Sequence, residues 1–165
     1  MDDAVLIDAT ISDSMQRAKS WWLIRENIVL AQAKIPQVVN FDISLPISAV
    51  GRFLDLSSQL IAQRIGPLPI INFGHLGDGN LHFSVHTAAA HGDAIAEIEP
   101  NLRDLIYGIV LDLEGSFSAE HGIGSTKAAY LEKYKAGPRM RMMHSIKKAL
   151  DPHGLLNPGK VILPS

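Results

Sequence analysis

Hydrophobic and polar residues alternate along residues 38–44 and again along residues 81–86, which is typical of strands with one buried face. The second stretch follows Ile70-Ile71 and a glycine-rich turn, so we expect a β-hairpin over residues 68–86. Asp78-Gly79 supplies its turn, because glycine adopts a positive φ at no steric cost. A fourth short strand is predicted over residues 116–119.

Hydrophobic residues recur at helical spacing in the segments around these strands. The five expected helices cover about residues 13–33, 46–66, 93–114, 125–135 and 138–150. Pro46 opens the second helix and Gly66-Pro67 ends it. Pro100 is expected to start the main part of the third helix or to kink it.

The order of these elements over residues 37–119 is strand, helix, strand, strand, helix, strand. This order predicts an α+β fold, a ferredoxin-like split βαβ unit with an antiparallel sheet. Residues 1–36 form an N-terminal helical segment of the same domain, and residues 120–165 form a C-terminal helical segment and tail. Both helices of the split unit cover one face of the sheet. By strand parity the open face carries Asn40, Asp42, His82, Ser84 and His86.

Composition narrows the class of protein. With 165 residues, 47% hydrophobic and 19% charged, the chain suits one folded domain with a real core. A net charge of -2 without basic clusters argues against nucleic acid as a partner. The absence of cysteine excludes disulfides, thiolate metal sites and cysteine nucleophiles. The acidic start, Met1-Asp2-Asp3, is no signal peptide, and no stretch is long and apolar enough for a bilayer, so we expect a cytoplasmic location.

Candidate chemistry collects in two places. His75 and His82 flank the glycine-rich turn, while Glu120 and His121 directly follow the last predicted strand. Imidazole is both the commonest metal ligand and the usual proton shuttle. Two histidines and a carboxylate form a common ligand set that leaves one position open. His121 would then be free to take a proton from a hydroxyl whose pKa a Lewis acid lowers.

The same residues also have plainer readings. The hairpin tip fits two satisfied surface histidines, and Glu120 fits a helix start that the macrodipole favours. If a metal binds, zinc leads on ligand type, and manganese or ferrous iron accepts the same set. Arg25, in the middle of the first helix, is either a surface charge or a bidentate clamp for a carboxylate.

Several long motifs in register resemble the C-terminal domain of FAD-linked oxidases of the D-2-hydroxy-acid dehydrogenase type. They are residues 74–82, 118–124 and 151–160, supported by residues 22–26 and 42–46 in the same order. That family includes D-lactate dehydrogenase, D-2-hydroxyglutarate dehydrogenase and the D subunit of glycolate oxidase. The resemblance covers nearly the whole chain.

The resemblance implies a substrate domain that caps a flavin in an enzyme oxidising D-2-hydroxy acids to 2-oxo acids. The family's FAD lies mainly in an N-terminal domain, which this chain lacks, so we expect a fragment of a larger flavoprotein that is inactive alone. The implied roles are metal ligation by His75, His82 and Glu120, proton abstraction by His121, substrate binding by Arg25 and Asn80, and approach to the flavin by Asn157.

Two positions depart from the pattern of relatives that use dicarboxylates. Those relatives tend to have a lysine where Asn40 stands and a hydroxyl residue where Val29 stands. A second substrate carboxylate would therefore lack its cation. We expect a monocarboxylic or bulkier D-2-hydroxy acid as substrate, rather than 2-hydroxyglutarate.

Two other classes of function compete with this one. The first is a non-catalytic ferredoxin-like module that binds a small ligand or dimerises through its sheet. The second is a stand-alone metallohydrolase, for which the sequence offers no second metal shell or nucleophile. Without an FAD-binding partner domain the open face would be bared, which predicts a homodimer or poor solubility. The remaining histidines, at 91, 144 and 153, are expected on the surface or at a helix end.

Overall fold

A computed structural model describes residues 8–88 and 95–164 of the chain. Its helices are α1 (Met15–Gln32), α2 (Val50–Arg64), α3 (Ile95–Asp112), α4 (Ala128–Tyr134) and α5 (Pro138–Leu150), and its strands are β1 (Val38–Ser44), β2 (Ile70–His75) and β3 (Asn80–His86). The strands form one sheet in the order β1-β3-β2, with β2 and β3 antiparallel. This arrangement confirms the predicted α+β class. The chain divides into two units, one ending at Val38 and the other beginning at Val39.

Helix α1 belongs to the first unit. Ser14 caps its start, because the Ser14 hydroxyl accepts a hydrogen bond from the backbone N–H of Arg17 at 3.2 Å. The predicted apolar positions lie on this helix, yet none of its residues is buried. Trp21 is 38% exposed and Ile24 is 69% exposed. The helical spacing of apolar residues therefore predicts the helix correctly, but these residues do not form a buried face in the structure.

The core of the second unit lies between the sheet and helices α2 and α3. The residues of β1 and β3 that parity placed on the covered face are buried: Val39, Phe41, Ile43, Leu81, Phe83 and Val85. The prediction of an open opposite face is wrong for Asp42, Ser84 and His86, which are buried as well. Phe83 is central, with ring centroids 5.2 Å from Phe53 of α2 and 6.1 Å from Phe41. Tyr107 of α3 packs edge-on against Phe41 at 5.7 Å. Each large side chain buried in this way contributes about 1.5–3 kcal/mol relative to exposure.

The helices follow the expected bounds with small shifts. Helix α2 ends at Arg64, just before Gly66-Pro67, and a 3₁₀ turn, Ile47–Ala49, precedes it. Helix α3 is already helical from Ile95 and continues across Pro100, so the proline does not start its main part. The two residues before Ile95, which were expected in the same helix, lie outside the described residues. None of the helices in the described part of the chain has the length and hydropathy needed to cross a membrane.

The predicted fourth strand over residues 116–119 is reduced to a single bridge. Ser44 and Ser116 exchange two backbone hydrogen bonds, of 2.9 and 2.8 Å, beside the edge strand β1. The bridge lies where a split βαβ unit needs its last strand. Beyond it the side chain of Asp42 accepts the backbone N–H groups of residues 119–121, and the Ala119 N–H also lies 3.3 Å from the Asp42 carbonyl oxygen. The strand prediction is wrong for residues 117–119, which form no strand in the structure.

The hairpin turn depends on Gly79, which has a φ of +71°. A short 3₁₀ turn, Leu76–Asp78, precedes it, and Asp78 Oδ1 accepts the backbone N–H of Asn80 at 3.0 Å. The Gly79 carbonyl accepts a hydrogen bond from the Leu45 N–H at 3.0 Å. A Cβ at position 79 would collide with the carbonyl oxygen of Leu45. Both the backbone conformation and the close approach therefore require glycine.

Candidate active site

The β2–β3 hairpin places two histidines and an asparagine on one face of the sheet. His75 pairs with Asn80, and Phe73 pairs with His82, so all four side chains share the face opposite the core. The ring centroids of His75 and His82 are 6.3 Å apart and nearly perpendicular. His82 also lies 5.1 Å from the ring of Phe73. The hairpin thus confirms the predicted positions of both imidazoles on adjoining strands.

The segment after the Ser44–Ser116 bridge brings Glu120 and His121 to the same place. Glu120 Oε1 lies 3.3 Å from His75 Nδ1, and it accepts a short hydrogen bond from the side-chain amide of Asn80. The ring of His121 stacks on that of His82 with centroids 6.0 Å apart. The structure therefore gathers five predicted site residues, which we call the His–Glu cluster: His75, Asn80, His82, Glu120 and His121.

Asp42 lies beneath the cluster and was not predicted as a site residue. Its carboxylate accepts three consecutive backbone N–H groups, from Ala119 at 3.1 Å, Glu120 at 3.1 Å and His121 at 3.0 Å. The ammonium of Lys127 lies 3.4 Å away. Burial alone would raise the pKa of Asp42, but the hydrogen bonds from His121 and Glu120 and the Lys127 charge bring this pKa below its usual value.

The pKa of Lys127, the partner of Asp42, is lowered as well. Its side chain is only 11% exposed, and burial lowers the pKa of its ammonium even though the charge of Asp42 acts in the opposite direction. Sequence parity had placed Asp42 on the open face, which was the available signal for its role. The sequence around Lys127 gives no sign of this role, because its partner Asp42 is distant in the chain. The ion pair joins β1 to the start of α4.

The donor chemistry of the cluster fits a divalent cation. Imidazole nitrogens and a carboxylate oxygen suit zinc, manganese or iron. Asn80 Oδ1 is buried and accepts no hydrogen bond from the part of the chain that the structure describes, while the nitrogen of the same amide contacts Glu120. Within residues 8–88 and 95–164, one oxygen or nitrogen each from Asp42, His82 and His121 also meet within 4.8 Å of one another. The set of His75, His82 and Glu120 stays a prediction, with this second set as its alternative.

Two other predicted site residues lie elsewhere in the chain. Arg25 is in the middle of α1, which belongs to the first unit, and its role toward a carboxylate stays a prediction. Asn157 is exposed in the C-terminal tail at a φ of +45°. The tail is attached to the segment after the cluster, since Val161 N–H donates to the Gly124 carbonyl at 2.7 Å.

Comparison with known proteins assigns the class. Residues 1–161 match the family model for FAD linked oxidases, C-terminal domain, and the chain belongs to this family. Among curated relatives it is 37% identical to D-2-hydroxyglutarate dehydrogenase, mitochondrial, from Arabidopsis thaliana, over 98% of this chain and 28% of the relative. It is 35% identical to the protein of that name from Bos taurus, over 98% of this chain and 29% of the relative. D-2-hydroxyglutarate dehydrogenase of Xanthomonas citri is 37% identical, over 98% of this chain and 34% of the relative. The chain thus spans about a third or less of the length of these relatives.

Proposed function

We propose that this chain is the substrate- and metal-binding domain of an FAD-dependent dehydrogenase that oxidises D-2-hydroxy acids to 2-oxo acids. The observation that carries the proposal is the contact of His75 with Glu120 beside the stacked pair of His82 and His121. Two segments far apart in sequence meet there with the donors such a reaction needs. Membership of the family and the names of the relatives support the reaction class.

In this proposal His75, His82 and Glu120 hold a divalent cation, zinc first and manganese or iron as alternatives. When bound, the cation supplies Lewis acidity at the substrate hydroxyl and the flavin supplies the hydride acceptor. The half-exposed side chains of His75 and Glu120, at 48% and 45%, leave the cluster open to a small ligand from one side. The domain that binds FAD is a partner outside this chain.

His121 is the proposed general base. Its ring stacks on that of His82, so the proposed base lies next to one of the proposed metal ligands. It would take the proton of the substrate hydroxyl as the α-hydrogen leaves as hydride. Asn80 would hydrogen-bond the substrate, Arg25 would clamp its α-carboxylate, and Asn157 would approach the flavin.

The preferred substrate is proposed to be a monocarboxylic or bulkier D-2-hydroxy acid. Asn40 is exposed on β1, and its Oδ1 accepts a hydrogen bond from Ser84 at 2.8 Å, so the side chain at this position is uncharged. Val29, on α1, supplies no hydroxyl. The relatives are named for hydroxyglutarate, a dicarboxylate, and turnover of that compound is the rival outcome. The cytoplasmic location and a homodimer also stay predictions, and some relatives are named mitochondrial.

Metal analysis of the purified chain tests the proposal. We expect about one divalent ion per chain in the wild type and a loss of binding in His82→Ala. His144→Ala is the matched control, because His144 is paired with Glu132 at 3.3 Å outside the cluster. Absence of metal from the wild type and both variants would favour the competing class, a non-catalytic ferredoxin-like module. Equal binding of metal by all three would place the ion outside the cluster and contradict the proposed ligands.

A further inference from the structure

We infer that Asp42 and Lys127 are positioning residues for the proposed reaction. They form a buried ion pair whose carboxylate fixes the backbone of residues 119–121, and this segment carries Glu120 and His121. The inference rests on the proposed function and adds two residues to it. Neither residue has to touch the substrate for this role.

The carboxylate of Asp42 is held rigidly on the sheet. It is 4% exposed, and its neighbours in β1, Phe41 and Ile43, are 2% and 0% exposed. Oδ2 lies within 3.2 Å of the backbone nitrogens of Ala119, Glu120 and His121, and Oδ1 accepts from Glu120 as well. Three consecutive amides bound to one anion make a concave anion-binding turn. Their positions fix the directions in which the side chains of residues 120 and 121 leave the backbone.

Lys127 compensates the buried negative charge of Asp42. Its Nζ is 3.4 Å from Asp42 Oδ2 and 3.5 Å from the Asp42 carbonyl oxygen. The Lys127 N–H donates to the Ile123 carbonyl at 3.1 Å, which closes the segment between the cluster and α4. A buried charge without its partner is strongly unfavourable. Removing either charge therefore leaves the other to be hydrated or neutralised, and the segment has to move.

Asp42 has one competing role, that of a metal ligand, since one of its oxygens lies within 4.8 Å of donor atoms on His82 and His121. The contacts favour positioning, because Oδ2 already faces three amides and an ammonium. The two roles differ in what they require of Lys127. A ligand role needs the carboxylate alone, whereas the positioning role needs both members of the pair.

The test uses the flavin-loaded enzyme that contains this chain, with Asp42→Asn, Lys127→Met, Lys127→Arg and the double variant Asp42→Asn/Lys127→Met. Four properties are measured: kcat with a D-2-hydroxy acid, the metal content, amide hydrogen exchange at residues 119–121, and the thermal midpoint. The matched controls are Asp104→Asn and Lys133→Met, which break an ion pair of 2.7 Å that links α3 and α4 in the same unit.

We expect kcat to fall about 100-fold in Asp42→Asn and Lys127→Met, because small displacements of reacting groups have effects of this size. Exchange at residues 119–121 should become about tenfold faster or more. The double variant buries no unpaired charge, so its thermal midpoint should recover toward the wild type while its kcat stays low. Lys127→Arg should restore most of kcat. The controls should keep both kcat and the exchange rates.

Three results would overturn the inference. The first is wild-type exchange at residues 119–121 in the double variant, and the second is recovery of its kcat together with its stability. The third is loss of metal and activity in Asp42→Asn with wild-type behaviour in Lys127→Met, which would make Asp42 a ligand. An inactive wild-type enzyme refutes the proposed function instead. The exchange rates then decide by themselves whether the pair holds the segment.

Discussion

The imidazole rings of His82 and His121 stack with their centroids 6.0 Å apart and their planes 29° from parallel. One ring comes from β3, and the other comes from the segment that Asp42 holds beside β1. The stack places a proposed proton acceptor next to a proposed metal ligand. Glu120, the residue before His121, contacts His75 instead, with Oε1 3.3 Å from His75 Nδ1.

Replacement of His121 by alanine should remove catalysis and leave metal binding. We expect kcat to fall by about 10²- to 10⁴-fold, the usual contribution of a general base, with a small change in KM. Steady-state kinetics of the flavin-loaded enzyme and metal analysis of the same sample check this. If the metal disappears together with the activity, His121 is a ligand, and the division of roles proposed for the cluster is wrong.

The hairpin turn should tolerate replacement of Gly77 by alanine but not replacement of Gly79. Gly79→Ala combines a positive φ with a collision against the Leu45 carbonyl, so unfolding should become easier by about 1–2 kcal/mol or more. Gly77→Ala is the control, because its Cβ would meet nothing within 4 Å. Urea unfolding of both variants measures the difference. Equal midpoints would contradict the turn geometry described for residues 76–79.

The periodic patterns predicted the elements that local sequence controls. Alternation placed the buried faces of β1 and β3, and Pro138 marked the start of α5. The hairpin and its histidines followed from the same reasoning. Local pattern failed at residues 117–119, which continue the alternation expected of a strand but follow a single bridge at Ser116, and the Ala119 N–H is shared between the carboxylate and the carbonyl of Asp42.

The parts of the site that sequence missed depend on tertiary contacts. Asp42 looks like any polar residue on an open strand face, and its three backbone partners lie 77 to 79 residues away. Lys127 is a lysine at a helix start, where exposure is the usual state. Its burial against Asp42 is visible only once β1 and α4 are folded together.

Substrate preference should respond to charge at position 40. Asn40→Lys should raise kcat/KM for D-2-hydroxyglutarate by about tenfold or more, since a hydrogen bond to a charged group contributes about 1.5–3 kcal/mol. Asn40→Met is the control for the change in size and for the lost hydrogen bond with Ser84. Kinetics with D-lactate and D-2-hydroxyglutarate provide the comparison. A wild-type enzyme that strongly prefers hydroxyglutarate would end the monocarboxylate proposal.

The tail should lose stability on acidification through Asp151. Its hydrogen bond with Lys147 and those from the backbone N–H groups of Leu156 and Leu155 hold the pKa of this carboxyl below its usual value. The ionised form therefore stabilises the fold fully above the unfolded pKa of about 3.9, and this contribution is lost as the pH falls through the lower folded pKa. In that window the unfolded state binds more protons, so stability rises with pH.

Urea unfolding at pH 6 and pH 3 checks this sign. Asp151→Asn should be less stable than the wild type at pH 6, and the gap between them should narrow at pH 3. Asp55→Asn, at an exposed position of α2, should follow the wild type at both values. A gap that widens on acidification would show that the Asp151 contacts do not favour its charged form.

The most direct test of the account locates the ion itself. Anomalous scattering at the zinc edge, from crystals of this chain grown with zinc, gives the position of the metal among the side chains. We predict one peak about 2.0–2.2 Å from a nitrogen of His75, a nitrogen of His82 and an oxygen of Glu120. A peak bound instead by Asp42 and His121, or one outside the His–Glu cluster, would contradict the proposed site.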